Sequence, residues 1–197
     1  MPARLILAST SRYRATLLAR LGLPFRTEAP GVTEGVLPDE ATDALALRLA
    51  RAKAEAVAAR FPDDLVLASD QVADCAGQVL GKPGDAVRCR EQLLASSGRH
   101  VVFHTAVVLR HAAASLTFTH VDRTTVQFRE LDLPAIDAYI RLERPFDCAG
   151  AFRAEGLGVA LFDAIESSDP TALIGLPLIW VADALRRAGL DPLAAHA

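Results

Sequence analysis

Apolar residues in this chain fall into short unbroken runs separated by longer stretches of helical spacing. In Arg4-Leu5-Ile6-Leu7-Ala8 every residue after Arg4 is apolar, as is all of Leu65-Val66-Leu67-Ala68, the pattern of strands buried on both faces. After the first come Ser9-Thr10-Ser11 and a helix expected over Arg12–Leu21, with Leu17, Leu18 and Leu21 on its apolar stripe. Phe25–Glu28 reads as a second strand. A long helix is expected from Glu40 to Phe61, capped by Asp39 or Thr42. In it Leu45, Leu49, Lys53 and Val57 recur every four residues and so share one ridge.

The strand Leu65–Val72 should deliver Asp70 at its carboxyl end, where open α/β sheets place ligands. Ala76-Gly77 reads as a hairpin turn into Val79-Leu80, and Gly81-Lys82-Pro83-Gly84 as a rigid loop projecting one Lys. A helix is expected over Asp85–Ser97. Alternation over His100–Arg110 and Ser115–Arg129 indicates two paired strands. Leu133-Pro134 opens a helix with Ile136, Tyr139 and Ile140 on one face. Val159–Ile165 reads as a strand, and Gly175-Leu176-Pro177 opens a last helix ending near Arg187, with Gly189–Ala197 as a tail. The expected class is α/β.

Composition narrows the function. With 197 residues, 51% of them apolar, the chain suits one domain or one domain of two lobes. No run is long enough to span a membrane, and the start is too short for a signal peptide. A net charge of −3 and a pI near 5.9 argue against a nucleic-acid coat. Cys75, Cys89 and Cys148 form no C-x-x-C, which fits a reducing cytoplasm. The five histidines show no metal-ligand spacing. All basic residues are Arg except Lys53 and Lys82. Lys at just two positions of such a chain points to sites that call for a compact ammonium in place of a planar fork, with chance as the alternative.

The candidate chemistry lies in Glu34, Asp70, Lys53, Lys82, Arg14 and the Ser9–Ser11 loop. Two carboxylates suit a hard divalent ion, and Asp70 could also deprotonate a water. Three cations beside a helix N-terminus suit a polyphosphate. Arg12 and Arg14 oppose the dipole of the helix they open, which points to an anionic partner. The blander reading of Asp70 is a turn cap, and that of Lys53 a snorkelling side chain.

These residues sit in segments that resemble the Maf family of nucleotide pyrophosphatases. The matching segments are Leu5-Ile6-Leu7-Ala8-Ser9-Thr10-Ser11 with Arg14, Ala50-Arg51-Ala52-Lys53-Ala54, Ala68-Ser69-Asp70-Gln71-Val72 and Gly81-Lys82-Pro83. Cys148-Ala149-Gly150, Ala154-Glu155-Gly156 and Leu173-Ile174-Gly175-Leu176-Pro177-Leu178 follow in order. The resemblance implies a single domain over 1–197, two-lobed, with an elongated twisted mixed sheet flanked by helices and a central cleft, as in inosine-triphosphatase-like folds. It implies hydrolysis of a nucleoside triphosphate to monophosphate and pyrophosphate with a divalent metal, Mg or Mn. Asp70 matches the proton acceptor, Arg14, Lys53 and Lys82 match phosphate residues, and Ser9 matches the first-loop serine. Glu34 and Asp70 are the expected metal ligands.

Two departures stand out. The usual Val-Asp-Glu reads Val32-Thr33-Glu34, which removes one carboxylate, and the usual Ser-Pro reads Ser11-Arg12. Gln71 and Glu155 resemble the branch acting on 7-methyl-GTP, and Tyr13 keeps an aromatic where that branch has Trp. The expected activity is 7-methyl-GTP hydrolysis; the rivals are dTTP/UTP hydrolysis and a nucleotide-binding regulator without turnover. A small-molecule nucleotide is the expected partner, without nucleic acid or membrane, and a homodimer is left open.

Overall fold

The computed structural model describes residues 4–194. The elements in order are β1 (Leu5–Leu7), α1 (Arg12–Ala19), β2 (Phe25–Thr27), α2 (Thr42–Ala58), β3 (Leu65–Cys75) and β4 (Gln78–Leu80). Then come α3 (Ala86–Ser96), β5 (His100–His111), β6 (Leu116–Phe128), α4 (Leu133–Glu143), β7 (Phe162–Glu166) and α5 (Leu178–Arg187). Single 3₁₀ turns occupy Ala149–Ala151, Leu157–Leu161 and Ala172–Ile174. The fold is mixed α/β, an open sheet in the order β2-β1-β3-β5-β6-β7 with β4 paired to β3. Among the described residues no helix is long and apolar enough to cross a membrane.

The chain forms two compact units. The first takes in Met1–Asp70, Thr105–Asp122 and Asp169–Ala197, the second Gln71–His104 and Arg123–Ser168. In the first, β1 lies parallel to both β2 and β3, with Leu5 opposite Phe25 on one side and Leu65 on the other. The chain therefore winds outward through α1 to β2, then back through α2 to β3. A strand order that reverses direction between β1 and β3 opens a ligand position at their carboxyl ends. The apolar runs are buried as expected: Leu5, Leu7, Leu65 and Leu67 pack with Leu17, Leu18, Leu176, Val181 and Leu185. Each such side chain contributes about 1.5–3 kcal/mol.

In the second unit the β3–β4 hairpin turns at Ala76-Gly77, both at positive φ (52° and 84°), as a two-residue primed turn requires. Asp85 and Asp132 cap α3 and α4 by accepting from the amides of Arg88 and Ala135. Phe103, Phe128, Phe152 and Phe162 form an edge-to-face cluster with centroids 4.7–5.6 Å apart.

Three expectations are corrected. β3 does not stop near Asp70 but runs on to Cys75, because Val72 and Ala73 continue the buried run and the hairpin with β4 prolongs it. Neither Asp39 nor Thr42 caps α2; its N-cap is Ala41, without a side-chain bond. The stretch 157–161 is a 3₁₀ turn, and strand begins only at Phe162. The amides of Gly156 and Gly158 both donate to the Arg153 carbonyl, which curls the chain before it can extend. A Cβ at Gly158 would strike that same carbonyl.

Candidate active site

β1 and β3 run side by side until the Ala8 amide donates to the Leu67 carbonyl (2.8 Å). Beyond that bond the two strands deliver Ser9 and Asp70. Ser9 Oγ accepts from the Ser11 amide (3.1 Å), and Ser11 Oγ accepts from the Arg14 amide at the start of α1. The hydroxyl loop thus builds its own helix cap, and this fixes Arg14 in the first turn. Arg14 Nε donates to the Gly175 carbonyl (3.0 Å), which also accepts from Ser69 Oγ (2.8 Å). One carbonyl therefore ties α1 to the residue preceding Asp70. The segment carrying it is held in turn by buried Asp169, which accepts from the amides of Thr171 (2.9 Å) and Ile179 (2.7 Å).

Lys53 reaches this place from α2. It shares its ridge with Leu49 and Val57, which are buried as it is, and the residue is 5% exposed. Nζ lies 2.5 Å from Asp70 Oδ1 and 2.5 Å from Glu34 Oε1. The two carboxylates differ in setting, since the Asp70 side chain is 8% exposed and that of Glu34 54%. Burial pushes the Asp70 carboxyl above its ordinary range against the pull of Lys53 and Arg14, with Glu34 adding to the rise. Burial likewise lowers Arg14 from the usual guanidinium value, against the charges of Asp70 and Glu34. Breaking a buried pair such as Lys53–Asp70 by removing one partner costs about 3–5 kcal/mol.

The first unit thus gathers Ser9, Arg14, Glu34, Lys53 and Asp70. Tyr13 is half-buried on α1, where Arg12 Nη2 donates to its hydroxyl (2.8 Å) and the guanidinium lies 4.8 Å from the ring centroid. Lys82, Gln71 and Glu155 belong to the second unit. Lys82 is exposed on the β4–α3 loop, which Gln92 Nε2 steadies by donating to the Gly81 carbonyl (3.1 Å). Gln71 follows Asp70 on β3 and is half-buried. Glu155 is exposed and 4.0 Å from Arg153 Nε, whose guanidinium pairs more closely with Glu143 (2.6 Å).

Sequence reasoning missed the roles of Gly175 and Ser69. Both stood inside the matching segments, but nothing in the letters shows that a carbonyl is the shared acceptor.

A family profile described as Maf-like protein matches residues 4–188. The chain belongs to the Maf-like family. Among its relatives, the 7-methyl-GTP pyrophosphatase of Bordetella pertussis is 53% identical over 196 residues, 100% of this chain and 98% of that one. The 7-methyl-GTP pyrophosphatase of Xanthomonas axonopodis pv. citri is 56% identical over 188 residues, 95% of this chain and 98% of that one. A HAM1 protein from Coxiella burnetii is similar in structure with a TM-score of 0.47 at 16% identity, over 78% of this chain and 88% of that one.

Proposed function

We propose that this Maf-like chain hydrolyses 7-methyl-GTP to 7-methyl-GMP and pyrophosphate. The reading is carried by identity above one half, over nearly the whole length, to relatives named 7-methyl-GTP pyrophosphatase. The buried Asp70–Lys53 pair supports it chemically. In this reading Asp70 takes a proton from a water whose oxygen adds to the α-phosphorus. The bond from that phosphorus to the oxygen bridging the β-phosphate breaks, and pyrophosphate leaves. A carboxyl raised by burial is the better base near neutral pH. Lys53 and Arg14 face the charge that spreads over the phosphoryl oxygens, and a phosphate role for Lys82 rests on the family resemblance of its Gly81-Lys82-Pro83 segment.

Glu34 and Asp70 would hold the divalent ion, Mg or Mn. Their oxygens already converge on one cationic centre, Lys53 Nζ. Among the described residues no cluster of three or more His, Cys, Asp or Glu surrounds such a point. Mg²⁺ is suited to that sparse set, because it takes one or two carboxylates and completes its shell with water and phosphate. When bound, the ion supplies Lewis-acid polarisation of the phosphate oxygens.

Selection of the base is assigned to Tyr13, Gln71 and Glu155. A guanine methylated at N7 is cationic, so an electron-rich ring gains about 0.5–2 kcal/mol by stacking on it. The Tyr13 ring already takes a cation, the Arg12 guanidinium. Glu155 suits the base's N1–H and amino donors, and Gln71 its carbonyl. Cysteine usage supports a cytoplasmic setting. The test is kcat/KM on 7-methyl-GTP, GTP, dTTP and UTP, with products identified, for the parent and Asp70→Asn. The reading expects 7-methyl-GTP first, pyrophosphate as product, and a loss of about 10²–10⁴-fold in the variant. A pyrimidine preference overturns the substrate; release of orthophosphate overturns the reaction.

A further inference from the structure

Glu34 stands on a poor support. Residues 28–41 contain neither helix nor strand, and Val36 and Leu37 are 59% and 52% exposed. Of the apolar side chains nearest Glu34 in sequence, Val36 is exposed and Val32 only partly buried. A flexible loop would present Glu34 only part of the time, at the ordering cost of each loop residue.

Arg48 supplies the missing support. Its Nε lies 2.6 Å from Glu40 Oε1 and its Nη2 2.6 Å from Glu40 Oε2, the two-pronged geometry that only a guanidinium provides. The same Nη2 donates to the Gly35 carbonyl (2.8 Å), the residue directly after Glu34. The Leu37 amide closes the clasp by donating to Glu40 Oε2 (3.3 Å). The Glu40 side chain is only 10% exposed, so the contact is sheltered on the loop side. The hydrogen bond from Arg48 draws the Glu40 carboxyl below its ordinary range. Since α2 carries both Arg48 and Lys53, one rigid helix fixes the loop and the ammonium that the loop must meet.

We propose that Arg48, gripping Glu40 and the Gly35 carbonyl, is a positioning residue that fixes Glu34 on Lys53 and thereby sets turnover. The proposal rests on the pyrophosphatase reading for its kinetic consequence but not for its structural one. The hydrogen bonds of Arg48 go to Glu40 and Gly35, and its charge also acts on Asp70; its hold on the loop reaches the site through Glu34.

The decisive experiment is a double-mutant cycle. Arg48→Ala should lower kcat/KM about 10–100-fold, the scale of misplacing a site group by up to an ångström. In a Glu34→Gln background the same change should cost less than about twofold, because two substitutions in one network do not add. Arg48→Lys, which offers a single point charge, should fall between parent and Arg48→Ala. Hydrogen exchange provides a readout independent of turnover. Arg48→Ala should lose protection at the Leu37 amide while α2 keeps its own. Equal losses from Arg48→Ala in both backgrounds, or unchanged protection at Leu37, overturns the proposal. If the parent turns over no nucleotide, the functional reading falls and the exchange result alone decides the clasp.

Discussion

Gly175→Ala tests the placement of Arg14 without removing a charge. Gly175 ends a 3₁₀ turn at φ 120°, ψ 9°, a conformation that glycine adopts freely and L side chains do not. Holding alanine there costs about 1–3 kcal/mol. Space adds to the strain, since the new Cβ would lie 3.3 Å from Arg14 Nε and 3.7 Å from its Cγ. The guanidinium must give by a few tenths of an ångström, and the bond it makes to the Gly175 carbonyl is lengthened with it. Ser69 Oγ, bound to the same carbonyl, is drawn along beside Asp70.

Two readouts follow. At about 2–4 °C per kcal/mol for a chain of this size, the melting temperature should fall by roughly 2–12 °C. Partial loss of a charged hydrogen bond of about 1.5–3 kcal/mol should lower kcat/KM by about tenfold, each 1.4 kcal/mol being one decade. Arg14→Ala separates the two effects, because in that background Gly175→Ala should keep its thermal cost and lose most of its kinetic one. A parent-like melting temperature together with parent-like kcat/KM would refute the argument, since neither the strain nor the displacement would then exist.

Further outcomes are expected elsewhere. Because burial raises the Asp70 carboxyl and the base must be ionised, kcat/KM should fall as pH drops through a value above the ordinary carboxylate range; an acid limb at or below that range would contradict the assignment. Glu155→Gln should reduce the preference for 7-methyl-GTP over GTP by about 1–3 kcal/mol, and an unchanged ranking in a substrate panel would clear Glu155 of any role in selection. Lys82→Arg keeps the charge but widens the group, so steady-state kinetics should show impaired turnover; full activity would show that only charge is needed there.

The buried skeleton was legible because its signals are local. Uninterrupted apolar runs announced β1 and β3, four-residue spacing put Lys53 on the buried ridge of α2, and Ala76-Gly77 announced a hairpin. What the letters could not show depends on acceptors and loops. The Gly175 carbonyl gathers Arg14 and Ser69 from positions far apart in the chain, and a carbonyl has no letter of its own. The α2 start was misread for the same reason: Asp39 and Thr42 have capping chemistry, yet the loop is held by Glu40 and Arg48 instead. The 157–161 stretch is apolar enough for a strand, and the chain is turned by the Gly158 amide donating to the Arg153 carbonyl at an approach where a Cβ would clash.

The charge balance of the site carries a consequence for Lys53. Arg14 and Lys53 are matched by Asp70 and Glu34, so the cluster is already neutral. A triphosphate gains from Lys53 only if the ammonium gives up part of its hold on a carboxylate. Asp70 is the harder partner to release, being buried, where an uncompensated charge is costly. Glu34 is half in solvent and can be rehydrated cheaply. Lys53 should therefore stay on Asp70 and turn its hold on Glu34 over to phosphate, an exchange that leaves the Arg48-clasped carboxylate in place beside the site. Glu34→Gln then removes the competing anion, and with divalent ions chelated, pyrophosphate should bind about two- to fivefold more tightly than to the parent, the worth of a solvent-exposed ion pair. Calorimetric titration of pyrophosphate into both proteins measures it. Weaker binding to the variant under those conditions would show that Glu34 supports the phosphate position and does not compete for Lys53, and the exchange would be excluded.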